Sequence, residues 1–325
     1  MRASVLNLVP VRQGQTPTDA IAAMVRLAQQ AEAAGYHRYW IAEHHNLPHL
    51  LSSATQVLIA HVLEHTQRIR VGSGGVMLPN HSPLLVAEQY GTLALIHPGR
   101  VDLGVGRAPG TDPRTAEALR RYQRDFSADF PDDVRTLLGH FAPHGQQGPV
   151  GAWFCAGLDV PLYILGSSTE SAYLAAELGL PYVFAAHFAP RFLVQAGDIY
   201  RSLFRPSQQH PAPELIVALN VVVADTDEEA NHLFSSHQQA CLGVVRQDRQ
   251  PLQPPLSSLD ERWTAGEAAQ VRQMLSCSLV GSPSTVAAQL AVLQDRVQAD
   301  ELMTVSYIFD EQRQHTSLKL FAELL

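Results

Sequence analysis

Between Ala3 and Gly106 the chain alternates four times between a short aliphatic run and a stretch with helical spacing of apolar residues, each unit about 32 residues long. Such a repeat constrains the fold more than any single motif. A strand followed by a helix rejoins its sheet by a right-handed crossover, so the strands must run parallel.

The first unit is the strand ASVLNLV (3–9) and a helix from Thr18, read as its cap, to Ala34, stopped by Gly35. The second opens with RYWIAEHHNLPH (38–49), where the bulky run Tyr39, Trp40, Ile41 gives way to Glu43, His44 and His45, and continues as a helix over 53–64. The third strand, 68–76, is interrupted by Gly72, Ser73, Gly74 and Gly75, which weaken it but let a ligand approach its backbone. A helix over 83–95 ends at His97-Pro98-Gly99, and 101–106 is the fourth strand.

Regularity then lapses. Helices are expected over 114–124 and 131–141, within an excursion around 120–160 whose second part, 142–160, is pinned by Trp153 and Phe154. Strands over 161–165, 181–185 and 215–223 restore the pattern, with helices to Leu178, over 190–204 and over 227–242. The polar, proline-rich stretch 246–266 suits a long loop or gate. Residues 279–283 lead into a helix to Gln294, 301–308 supply an eighth strand, and a helical tail could cover the barrel end. Eight alternations make one (β/α)8 TIM barrel, spanning 1–325 as a single domain, more economical than an open doubly wound sheet.

The formal charge of −8, with no basic cluster, argues against a nucleic-acid partner. Cys155, Cys241 and Cys277 are too widely spaced for a metal or disulfide pattern and read as reduced core residues. No apolar run approaches the roughly 20 residues that cross a bilayer, nor does the start make a convincing signal peptide. A cytoplasmic location is the default expectation.

A barrel of this kind builds its ligand face at the C-terminal ends of its strands. That rule gathers Asn7, Glu43/His44/His45, Ser73/Gly74/Gly75, Gly106/Arg107, Ser167/Ser168/Thr169 and Ala186/His187. His44 is placed to move a proton near neutral pH, or to serve as a structural histidine; its neighbour His45, facing elsewhere, is better suited to orienting Glu43 or making a subunit contact. Ser167, Ser168 and Thr169 at a helix start form a phosphate cradle that Arg107 could close, although such caps also occur without ligands. His61 and His65 share a helix face with no further metal donor and read as a solvated pair, and no metal site is expected. HExxH, GxSxG, P-loop and GxGxxG patterns do not occur.

The segments YWIAEHH (39–45), RIRVGSGGVMLPNHSPLLVAEQ (68–89), GRVDLGVGRAPG (99–110), GSSTESAYLAAELGLPYVFA (166–185) and LVGSPSTVAAQL (279–290), taken in order, resemble the bacterial luciferase-like flavin monooxygenases. The resemblance implies a TIM-like barrel using reduced FMN and oxygen on a small organic substrate, a separate flavin reductase, and a homodimer formed through the helices around 53–64 and 83–95. It places His44 at the active-site histidine of luciferase, Arg107 with Ser168 and Thr169 in the flavin-phosphate region, and a non-prolyl cis peptide at Gly74–Gly75 beneath the flavin ring. Ser73 and Ser167 extend these two cofactor segments, and Trp40, Met77 and Phe184 would give the ring apolar support. Gly106 replaces the cysteine that luciferase carries beside the flavin, leaving more room and making light emission less secure. Two alternatives stay open: an oxidoreductase using the deazaflavin F420 on the same barrel, and a flavin-binding protein without turnover. A barrel hydrolase is a third and weaker reading.

Overall fold

The computed structural model describes residues 1–108, 111–120, 127–207 and 209–325. Nine strands occur among them: β1 (Arg2–Asn7), β2 (Arg38–Ile41), β3 (Arg70–Met77), β4 (Val101–Gly106), β5 (Leu162–Gly166), β6 (Tyr182–Ala185), β7 (Leu215–Val223), β8 (Ser278–Gly281) and β9 (Glu301–Val305). All pairings between them are parallel. Eight close into a ring in the order β1-β2-β3-β4-β5-β6-β7-β9, as the alternation predicts, since β9 returns to β1 and β6 also pairs with β7. The addition is β8, which pairs only with Asn220–Val223 of β7. Its four residues alternate between partly and fully buried, a pattern too short to separate from the helix that follows.

The helices are α1 (Pro17–Ala33), α2 (Thr55–Glu64), α3 (Pro83–Ile96), α4 (Pro113–Arg120), α5 (Phe130–Phe141), α6 (Thr169–Leu178), α7 (Leu193–Leu203), α8 (Asp227–Val245), α9 (Ala265–Met274), α10 (Pro283–Val297) and α11 (Glu311–Ala322). Thr16, rather than Thr18, caps α1: its hydroxyl accepts the Asp19 N–H while the Asp19 carboxylate accepts the Thr16 N–H, with Pro17 in the first turn. The helix expected over 114–124 ends at Arg120, and 121–126 lie outside the described residues, as do Pro109 and Gly110.

Strand parity divides the barrel. Tyr39 and Ile41 join the layer between strands and helices, whereas Trp40 points inward with Leu6, Tyr163, Val183, Ile216 and Met303. The inner floor is ionic. Arg38 makes a forked pair with Glu301 (2.8 and 2.9 Å) and reaches Asp102 at 3.2 Å. Trp40 Nε1 donates to Asp102 at 3.0 Å, and Arg70 binds its other oxygen at 2.6 Å. Burial would lower the Arg38 pKa, but Asp102 and Glu301 overcome it and push it upward.

Two packing expectations are corrected. Trp153 and Phe154 are about half exposed, and the excursion is anchored instead by Cys155, buried against Ala87 and Gly91 of α3. The tail does not cap the barrel; α11 lies on its flank, tied to α1 by the Arg26–Glu311 pair. Cys155, Cys241 and Cys277 are free thiols, as expected. Among the described residues no helix is long and apolar enough to cross a membrane.

Candidate active site

The chain leaves β2 through Ala42, Glu43 and His44, and this exit is held from two sides. Thr55 donates to the Ala42 carbonyl at 3.1 Å, and the His44 N–H to Ser52 at 3.3 Å. Across the loop, Asn46 in a left-handed conformation donates to Asp112, and Thr111 to the His45 carbonyl. His44 lines a cavity at the C-terminal mouth of the barrel. His45 turns away, its Nε2 lying 2.8 Å from Glu43 Oε1. His81 Nε2 meets the same oxygen at 2.8 Å, and the Met77 N–H bonds the other at 3.1 Å. Burial would raise the Glu43 pKa; the bonds from His45, His81 and Met77 hold it below the usual carboxylate range.

One cavity wall is β3. The Gly74–Gly75 peptide is cis, as the resemblance implies, and both residues face the cavity. A β-carbon on Gly74 would lie 2.5 Å from Leu6 Cδ1 and 3.2 Å from Trp40, and one on Gly75 2.8 Å from the Gly104 oxygen. Ser73 does not line the cavity: its hydroxyl donates to the Gly104 carbonyl at 2.8 Å and accepts the Gly104 N–H at 3.1 Å, joining β3 to β4. Gly106 is a true vacancy of side chain, since a β-carbon there would meet only Met77 Sδ, at 3.4 Å.

Another part of the lining is polar. Arg107 follows β4, and Gly166, Ser167 and Ser168 join β5 to α6. Ser168 is the N-cap but makes no capping bond with its side chain. The Ser168 side chain, and to a smaller extent Arg107, holds the Glu170 pKa below the usual carboxylate range. Thr169 begins the helix without lining the cavity, whereas Ser171, one turn in, does line it. Ser171 and Tyr182 both donate to the Ser168 carbonyl at 3.0 Å, fixing the turn.

Val183, Ala185, Ala218 and Met303 make the remaining wall, with His187 and Phe188 at its lip. In the ring, β6 stands four strands from β2 in either direction, so His187 faces His44 from across the barrel. Burial, reinforced by repulsion from His44, pushes the His187 pKa down to about 3.

His44, Gly74, Gly75, Arg107, Ser167 and Ser168 thus share one cavity, and Ser73 and Thr169 lie behind it. Of the residues expected to support a ring, Met77 lines the cavity and Trp40 lies beneath Gly74, but Phe184 points outward into the helix layer. Residues 246–266, expected as a long loop or gate and of which Ala265 and Gly266 already belong to α9, do not line the cavity either. They lie against the β1–α1 connection through Leu252, bonded to Val11 and Gln13, and against α8 through Leu256. Sequence reasoning missed Gly166, Ser171 and Ala108; the spacing of Ser171 from Ser168, one helical turn, was the available signal.

A largely apolar cavity whose lining also carries an arginine, serines and a helix start fits a cofactor with a flat ring and a phosphate tail. At Gly74 and Gly75 a β-carbon would collide with Leu6, Trp40 and the Gly104 backbone, so this wall presents backbone rather than side chains to the cavity. The fold and site define a barrel oxidoreductase of the flavin-binding class.

Comparison with known proteins specifies it. The profile of the luciferase-like monooxygenases matches residues 1–299. The chain is 45% identical over 320 residues to a luciferase-like monooxygenase of Escherichia coli (strain K12), covering 98% of this chain and 95% of that protein. It is 47% identical over 322 residues to the protein YvbT of Bacillus subtilis (strain 168), covering 99% and 96%. Among solved structures, apo-MsnO8 superposes with a TM-score of 0.93 at 34% identity, covering 99% of this chain and 98% of that one. The chain belongs to the luciferase-like monooxygenase family. It is a monooxygenase-type oxidoreductase, acting with O2 on an organic substrate.

Proposed function

We propose that FMN lies with its phosphate among Arg107, Ser167, Ser168 and Ser171 and its ring along Gly74 and Gly75, and that His44 handles the proton that oxygen transfer requires. The observation that carries this reading is that His44, Gly74, Gly75, Arg107 and the serines of the β5–α6 turn line one cavity together with apolar side chains. Bound reduced flavin supplies the electrons and the oxygen activation.

The chain supplies the rest. Arg107 and the hydroxyls would pair with phosphate charge, and the start of α6 at Thr169 would add the free backbone amides of a helix N-terminus. Ser73 acts at one remove, holding β3 against β4 under the ring. Leu6, Leu8, Val183 and Met303 keep water from the reacting centre. His44, held by the Ser52 carbonyl and by the Thr55–Ala42 bond, would pass the proton to or from the reacting atoms.

Reduced FMN arrives as a co-substrate from a separate flavin reductase, and the enzyme works in the cytoplasm as a homodimer. Support for the dimer comes from Val57 of α2 and Leu85, Leu95 and Ile96 of α3, which are more than half exposed.

Anaerobic titration with reduced FMN, followed by admission of oxygen, tests the assignment. R107A should weaken FMN binding roughly tenfold or more, and H44A should retain FMN yet lose substrate oxygenation. Wild-type FMN affinity in R107A would sink the phosphate assignment.

A further inference from the structure

Glu43, His45 and His81 stand outside the cavity, and their ligating atoms converge. Glu43 Oε1 lies 2.8 Å from Nε2 of both histidines, and all three atoms lie within 4.8 Å of one another. The Met77 N–H occupies Oε2, which fixes the carboxylate plane with Oε1 turned to the imidazoles. Glu43 is buried, while the side chains of His45 and His81 keep 14% and 26% of their exposure, enough for an ion to reach them.

We propose that Glu43, His45 and His81 bind a divalent transition-metal ion of the zinc class. Two imidazole nitrogens and one carboxylate oxygen are a three-ligand zinc set, leaving a fourth position for water. Tetrahedral bonds of roughly 2.0–2.1 Å place ligand atoms about 3.3 Å apart, so the two 2.8 Å contacts need only open by a few tenths of an ångström. The ion would also compensate the charge of the buried Glu43 carboxylate. Imidazole with carboxylate suits zinc, cobalt or nickel better than calcium or magnesium.

The site would have a positioning role. His45 adjoins His44, and His81 follows the exit of β3, so one ion would fasten the end of β2 to the end of β3 and hold His44 relative to Gly74 and Gly75. None of its three ligands lines the cavity. The sequence conceals it because His81 lies 38 residues beyond Glu43. His61 and His65 on α2 serve as an internal control: their rings are 4.4 Å apart, but their exposed pair lacks the carboxylate.

Calorimetry of the chelator-treated full-length protein with zinc chloride, paralleled by the visible absorption of added cobalt(II), tests the proposal. The wild type should take up one equivalent and give the intense bands of tetrahedral cobalt. H81N should lose roughly 100-fold in affinity, and H61N should match the wild type. H45N repeats the test at a second ligand, so the outcome does not depend on whether E43Q folds. No zinc uptake at micromolar concentration, or a loss in H61N with none in H81N, would overturn it.

Discussion

A β-carbon placed on Gly166 would land on the hydroxyl of Ser171, the same hydroxyl that donates to the Ser168 carbonyl at 3.0 Å. Glycine at 166 is therefore what lets the turn entering α6 close with Ser171 facing the cavity. G166A should fold but displace Ser171 and reduce FMN affinity about tenfold, the loss of roughly one charge-assisted hydrogen bond. Fluorescence titration with FMN measures it, and an unchanged dissociation constant would remove Ser171 from the cradle.

Two other glycines should behave oppositely. At Gly106 a methyl group meets only Met77 Sδ, at 3.4 Å, so G106A should shift the melting temperature by no more than about 2 °C while narrowing the range of substrates accepted. At Gly75 the new carbon would lie 2.8 Å from the Gly104 carbonyl oxygen, which cannot move without breaking the β3–β4 ladder. G75A should lower stability by about 2 kcal/mol or more. Thermal melts of the two variants side by side provide the comparison.

Removing charge from the barrel floor should be costly. E301Q leaves Arg38 buried with half its forked partner lost, and breaking such a pair from one side typically costs about 3–5 kcal/mol. Asp102, 3.2 Å from Arg38, places the expected loss near the lower figure. Urea unfolding gives the value; a change under about 1 kcal/mol would mean the floor contributes little.

His187 and His237 should make stability depend on pH. Burial pushes both pKa values down to about 3, and the His237 ring is enclosed by Phe234 and Tyr307. Between about pH 6.5 and 3 the unfolded chain carries protons on these rings that the native state refuses. Their contribution is present above about 6.5 and is lost as pH falls, by up to about 1.4 kcal/mol per unit for each ring. H237F, which keeps the aromatic packing, should remove about half of this slope in urea titrations between pH 7 and 5. A slope equal to wild type would show that His237 is not held neutral.

The sequence by itself determined the parallel barrel, the gathering of His44, Gly74, Gly75, Arg107, Ser167 and Ser168 at its mouth, and the hydroxyl-rich start of the helix after β5. These are local properties: hydrophobic period, glycine where backbone must be approached, hydroxyls ahead of a helix. Tertiary structure decided which of two neighbours faces the cavity. Gly74 does and Ser73 does not; Ser171 does and Thr169 does not; Val183 does and Phe184 does not. It also decided the Arg38–Asp102–Glu301 floor and the meeting of Glu43 with His81. The strand faces depend on the register of strands far apart in the chain, where a shift of one residue exchanges the two faces, and Ser171 is separated from Thr169 by the phase of α6.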